Sequence, residues 1–409
     1  MLKDIINATK LPHNFCASLI GVDPIQFQEW LEGARPVPSF IIPELSTVLG
    51  VSEKRLTEVS SQTPKIEERI TPAVWYKLRD AKLGDLDREM VGLVRKLGFF
   101  LGQLQQVRGG PVLEYAPVFG AIRSACDKKA PPSAQGSQAA AAFRSVSGLQ
   151  HGQAGIGELI RGYFRRIGIL VIESPLKHSS LEGCCFSVGA SSVPCIFVNS
   201  LNSTWFRRNS VLMHELCHAI FDLEDDPVAI DFIDPNESEQ PKFNEARAQA
   251  FAQDALIPQS VLVQFVNRFG LHWDELTPQD LGRLVASAHV EQKLVLAAAF
   301  DAGFIDEEQR ATYDAFSCAP YVREYSDHAL STREYLKQRV GESPKWIAEN
   351  RNTEVGTRKL RLPVRYVDEV IKALNDGVIS LGKAAEMTMM ERGTFTQRFR
   401  DLMRAPGLE

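Results

Sequence analysis

No run of apolar residues in this 409-residue chain approaches the roughly 18 needed to cross a bilayer. LVLAAAF, from Leu294 to Phe300, is among the longest. Positive charge is not in excess either. Lys and Arg number 46 against 51 Asp and Glu, a formal net charge of −5, so no global basic field draws nucleic acid or anionic lipid. The cysteines are seven, an odd and small number that argues against a secreted disulfide scaffold. The opening residues, MLKDIINATKLPHNF, lack the apolar core of a secretory leader, and the cytoplasm is the expected compartment. What remains is ordinary soluble composition, 44% hydrophobic and 24% charged, in a chain long enough for two or three cores.

Turn signals divide the chain. In GVDPIQFQEWLEG, Asp23 suits an N-cap, Pro24 the first helical turn and Gly33 the helix end. Short helices with such punctuation over 11–60 read as a helix-turn-helix unit within a 1–66 domain. Residues 67–126 carry apolar side chains at three- and four-residue spacing and read as a wholly helical connector. DKKAPPSAQGSQAAAA, 127–142, reads as a linker, with 127–153 leading into the next domain. Residues 154–300 mix helix and strand. IGELIRGYFRRIG reads as an amphipathic helix; GILVIE, CCFSVG and PCIFVN read as strands. A helix from about Thr204 to Phe221 follows, and EARAQAFAQDALI, 245–257, forms another that stops at Pro258. The remainder, 301–409, reads as helical. The fold class expected is α+β, mostly helical, with a small sheet.

The chemistry concentrates in HELCHAIFD, His214 to Asp222. On a helix, residues four apart share a face, so His214 and His218 offer two imidazoles to one point, as a zinc ion requires. Glu215 lies about 100° round the helix from His214, close enough to act as a base on water without displacing a ligand. A third ligand must come from elsewhere. The downstream acids are Asp222, Glu224, Asp225, Asp231, Glu237, Glu239 and Glu245. Glu245 is favoured because it opens an apolar helix, where a buried carboxylate needs a partner. Asp222, at the end of the histidine helix, is expected to face solvent.

FRRNSVLMHELCHAIFD followed by EARAQAFAQDALIP resembles the ImmA/IrrE family of zinc-dependent metallopeptidases, over roughly 138–300. The resemblance implies a zincin-like domain with zinc at His214, His218 and Glu245 and Glu215 as catalytic base. It implies protein substrates, such as helix-turn-helix repressors or antitoxins encoded nearby, in stress, phage-defence or mobile-element regulation. Cys217 stands where that family commonly has Gly, which raises the idea of a redox- or metal-sensitive thiol beside the metal. Under this reading the strand PCIFVN (Cys195, Ile196, Phe197, Val198, Asn199) is expected to be the edge that receives an extended peptide. Arg207 and Arg208 would meet acidic substrate groups or a developing oxyanion.

Residues 11–60 resemble Xre-type helix-turn-helix domains, which implies DNA as a further partner, with Gln26 and Gln28 reading adenine edges. The charge there is unhelpful: five basic and seven acidic residues over 1–60 give −2. ISLGKAAEMTMMERGTFTQRF, 379–399, also resembles a small helix-turn-helix, near 377–400. The alternative function is a DNA-binding transcriptional regulator that uses the zinc fold as a sensing module. A second copy of the chain is a further expected partner, and a membrane is not.

Overall fold

The computed structural model describes residues 2–9, 13–20, 22–42, 74–78, 115–149, 157–174, 181–188, 193–200, 204–223, 239–325, 354–355, 360–362 and 364–403, together with 45, 56, 100 and 103–104. Helices α1 (Leu2–Thr9), α2 (His13–Leu19) and α3 (Pro24–Leu31) open the chain. As the punctuation predicts, the Asp23 carboxylate caps α3 by accepting from the Ile25 and Gln26 amides, and Gly33 takes φ 73°. Phe27, Trp30 and Leu31 bury the inner side of α3 in a small core with Ile5, Ile6 and Cys16.

Four strands follow: β1 (Val74–Leu78), β2 (Leu170–Ser174), β3 (Leu181–Val188) and β4 (Val193–Asn199). They form one sheet in the order β1-β3-β4-β2, antiparallel except for the parallel β2–β4 pair. β1 corrects the expectation that 67–126 is wholly helical. VWYKL combines a β-branched residue with two aromatics, and pairing with β3 outweighs its helical spacing.

α4 (Tyr115–Ser124), α5 (Pro132–Ser147) and α6 (Gly157–Ile167) lie between β1 and β2 in the chain. α5 overturns the linker reading of 127–142. Pro132 sits in its first turn, a run of alanines carries its middle, and Gly148 closes it at φ 74°. The small residues that look like linker serve close packing instead: Ala139, Ala140 and Phe143 are fully buried.

After β4 come α7 (Trp205–Phe221), α8 (Glu239–Leu256), α9 (Gln259–Phe269), α10 (Pro278–Ala288), α11 (Gln292–Asp301), α12 (Glu307–Asp314) and α13 (Ala319–Tyr325). A β5–β6 pairing (Glu354–Val355 with Leu360–Arg361) interrupts the expected all-helical C-terminal region. α14 (Val364–Asn375), α15 (Leu381–Met387) and α16 (Arg392–Phe399) close the described chain. No described helix is long and apolar enough to cross a membrane.

Strand periodicity of two splits the sheet residues between two cores. Cys185, Ile196 and Val198 face α7 in a core that runs from Phe119 to Val322. That core is wider than the 154–300 span expected, because α4, α5, α12 and α13 contribute to it. Cys184, Phe186, Cys195 and Phe197 face the other way, against Tyr366, Val370, Phe395 and Phe399 of α14 and α16. Covered on both faces, the strands read as nearly continuous apolar runs, CCF and CIFV.

Candidate metal centre

α7 is fixed at its start by Thr204, whose hydroxyl accepts from the Arg207 amide at 3.1 Å. Its interior is buried on nearly every side, His214, Glu215 and His218 included. α8 packs beside it and brings Glu245 to the two histidines. The helix begins at Glu239, so Glu245 lies two turns inside it rather than at its opening, and its side chain is 43% exposed. The cluster is therefore reachable by water along α8, although its histidines are sealed.

Three side chains converge. The two histidine Nε2 atoms stand 3.1 Å apart. Glu245 places Oε2 at 3.2 Å from His214 Nε2 and Oε1 at 3.3 Å from His218 Nε2. Donors about 2.05 Å from a tetrahedral zinc stand about 3.3 Å from one another, so the two histidine nitrogens stand at a zinc-like separation from each other and each from one oxygen of the Glu245 carboxylate. Among the described residues this trio is the one His/Cys/Asp/Glu group whose donors gather tightly enough, all within 4.8 Å, to hold a metal ion.

Asp222 corrects the sequence reading. It is buried, not solvent-facing, and its Oδ2 bonds His218 Nδ1 at 2.8 Å. An acceptor there fixes the proton on Nδ1 and turns the lone pair of Nε2 toward the cluster. The other Asp222 oxygen accepts from Arg247 of α8, whose guanidinium also lies 4.5 Å from the centre of the Phe221 ring. Burial alone would lower the His218 pKa. Hydrogen bonds and charge from Asp222 and Glu245 outweigh it and raise the value to about 10. Burial would likewise raise Glu245, but hydrogen bonds from His214 and His218 hold it well below the usual carboxylate range.

Glu215 is fully buried between α7 and β3. The strand leaves room at Gly183: a Cβ there would lie 2.5 Å from Val211 Cγ1 and 3.1 Å from Glu215 Cγ. A second close approach secures α8. A Cβ on Gly136 of α5 would fall 2.3 Å from the Arg247 carbonyl oxygen. Sequence reasoning missed both glycines and set Asp222 aside as solvent-facing. The available signal for Asp222 was its position, one helical turn after His218.

The remaining expected site residues do not gather here. Cys195, Ile196, Phe197, Val198 and Asn199 are buried in β4, which is paired on both sides, by β3 and by β2. β4 therefore offers no open edge; the outer strands are β1 and β2. Arg207 pairs with Glu182 and Glu291, and Arg208 pairs with Glu173 while lying over the Trp205 ring. These arginines fix α7 to the sheet and to α11 rather than awaiting a substrate. Cys217 is fully buried, and burial pushes its thiol well above the ordinary range, which suppresses the thiolate a sensor needs. Gln26 and Gln28 lie on α3, where Gln28 donates to Glu32 at 2.7 Å.

Comparison with known families agrees with this geometry. Residues 164–281 match the model of Peptidase M78, the IrrE N-terminal-like domain. The matched span is a metallopeptidase-like domain that runs from the end of α6 into α10 and includes the sheet strands β2–β4 and every cluster residue. Its His-His-Glu donor set is compatible with zinc. No curated protein matches the chain.

Proposed function

We propose that the peptidase-like domain is a zinc endopeptidase that cleaves a protein partner. The observation that carries this reading is the convergence of His214, His218 and Glu245 beside the buried carboxylate of Glu215. Two nitrogens and one carboxylate are a donor set of catalytic zinc sites, which leave a fourth position for water or substrate. When bound, zinc would supply Lewis acidity that polarises a carbonyl and acidifies water.

The protein's own groups do the rest. Asp222 holds the His218 ring, and Arg247 holds Asp222, so the donor set is rigid before any ligand arrives. Glu215 accepts a proton from the attacking water and returns it to the leaving nitrogen, so that H and OH add across the broken C–N bond.

The substrate is a protein, and a helix-turn-helix repressor or antitoxin encoded nearby is the first to try, in a stress or phage-defence setting in the cytoplasm. The test is co-expression of the chain with such a neighbour. Wild-type protein should carry one zinc and cleave the partner, while Glu215→Gln should keep the metal and leave the partner intact. Stoichiometric metal with persistent cleavage in Glu215→Gln would remove Glu215 from its role. Protein that takes up no zinc would remove the whole reading.

A further inference from the structure

The metal centre and the surfaces of α15 and α16 differ sharply in character. A four-residue connection, Thr388 to Glu391, joins α15 to α16, and Met389 within it takes a left-handed φ of 54°. Phe395 and Phe399, one turn apart, bury one side of α16 in the core against the sheet. Gly393, Thr394, Gln397 and Arg398 are thereby turned into solvent, with exposed Arg392 and Arg400 at the two ends. From 392 to 400 there are three arginines and no acid, with Glu391 and Asp401 adjoining the run at its two ends, and Glu386 of α15 is paired with Lys383. Asp368, Glu369 and Asp376 of the same unit lie on and after α14 instead.

Two glycines provide a separate observation. A Cβ on Gly393 would meet nothing within 4 Å, and one on Gly382 of α15 would meet only Ser380 Oγ, at 3.8 Å. Neither has a positive φ, so among the described residues neither packing nor backbone conformation requires glycine at these positions. An exposed helical glycine weakens its helix relative to alanine, and its use is to let another molecule's backbone come close. Bare backbone on both helices, beside arginine, threonine and glutamine, suits a polyanion with hydrogen-bonding edges. Among the described residues of the N-terminal unit, Gln28 is held by Glu32, Glu29 pairs with Arg35, and the most exposed apolar residues are Ile25 and Phe40.

We propose that α15 and α16 form a docking surface for double-stranded DNA, with α16 in the major groove. At eight residues α16 is about 12 Å long, comparable with a B-form major groove about 12 Å wide. Gln397 and Arg398 face the base edges, and Arg392 and Arg400 reach the phosphates on either side. Double-stranded RNA does not fit, because its major groove is too narrow for a helix. DNA thus docks on the unit that covers one sheet face, while the peptidase-like centre occupies the other.

The test uses the full chain and a fluorescently labelled random-sequence duplex of about 30 base pairs, followed by anisotropy between about 50 and 200 mM salt. The wild type should bind, and its affinity should fall as salt rises. Combined Arg392→Ala, Arg398→Ala and Arg400→Ala should weaken binding at least tenfold at low salt and flatten the log–log salt slope by about 2 to 3. Gly393→Ala should weaken binding without lowering the unfolding temperature, which a loss of folding would do. Gln26→Ala with Gln28→Ala should bind like the wild type. A wild-type chain with no salt-dependent binding, or a triple-arginine variant that binds unchanged, overturns the proposal. So does binding lost in the Gln26/Gln28 variant, or a protein captured through the same arginines with the duplex left unbound.

Discussion

On one face of the sheet, α7 lays Val211 and Glu215 against Gly183 and packs its apolar residues with Cys185, Ile196 and Val198. On the other, α14 and α16 lay Tyr366, Val370, Phe395 and Phe399 against Cys184, Phe186, Cys195 and Phe197. Adjacent residues of one strand thus serve opposite needs. The α7 side buries charge and must satisfy it: Arg208 with Glu173, Arg247 with Asp222, His218 with Asp222 and Glu245. Removing one partner of such a buried pair typically costs about 3–5 kcal/mol, because the other charge is stranded. Among the described residues the far side is chiefly apolar, and its buried Tyr366 and Thr388 hydroxyls are satisfied by backbone carbonyls rather than by charges. The difference separates a face whose mutations act on both chemistry and stability from one whose mutations act on stability.

The largest break in that comparison is Glu215→Gln. The substitution keeps shape and removes the base, so peptide hydrolysis should fall by about 100- to 10,000-fold while zinc content and unfolding temperature stay near wild type. Assays of cleavage rate and metal content on the same preparation check it. Next is Phe197→Ala on the apolar side, where a fully buried ring is lost. Stability should drop by about 3–5 kcal/mol in urea unfolding. The fraction still folded should bind zinc as tightly as before. A variant that loses metal affinity without losing stability would show that the two faces are coupled.

Asp222→Asn sharpens the comparison from within the charged face. The amide keeps the volume but bonds His218 Nδ1 more weakly and abandons Arg247. Zinc affinity should weaken by about 10- to 100-fold, the range found for partners behind metal-binding histidines. Competition with a chromophoric chelator measures it. An unchanged affinity would mean that the His218 ring is oriented by packing alone.

How much of this was legible in the sequence follows from the range of each signal. The histidines, Glu215 and the Thr204 cap lie in one helical stretch, where spacing translates directly into geometry. Glu245 was reachable too, although for an imperfect reason: the helix begins six residues earlier and the carboxylate is half-exposed. Tertiary features were not legible. That PCIFVN is a central strand depends on which strands flank it, and local alternation holds no record of neighbours. The QGSQAAAA run looked like a linker because small residues suit both flexible chain and tight helix contacts. Only the α8 backbone pressed against Gly136 distinguishes the two. Arg207 and Arg208 looked available because their partners, Glu173, Glu182 and Glu291, are distant in sequence. On the two outer units, counting charge over 1–60 gives a balance of −2. At the C-terminus a count fails, since 364–403 carries six basic and six acidic residues, and the asymmetry emerges only once α14 and α16 take separate positions.

The smallest expected effect is a single proton. In metal-free protein the His218 pKa stands near 10, above its ordinary value, because Asp222 and Glu245 favour the charged ring. A raised folded pKa stabilises the metal-free fold below the unfolded value of about 6.5, and this contribution is lost as pH rises through about 10. Zinc requires the neutral imidazole, so capture at pH 7 must expel that proton, whereas capture well above pH 10 finds it already gone. Glu245, held below the carboxylate range, has none to give at either pH. Calorimetric titration of chelator-treated protein with zinc, in buffers of differing ionisation enthalpy, should therefore report close to one more proton released at pH 7 in wild type than in His218→Ala. Equal release from both proteins would show that the ring is neutral before the metal arrives, and that Asp222 orients His218 without charging it.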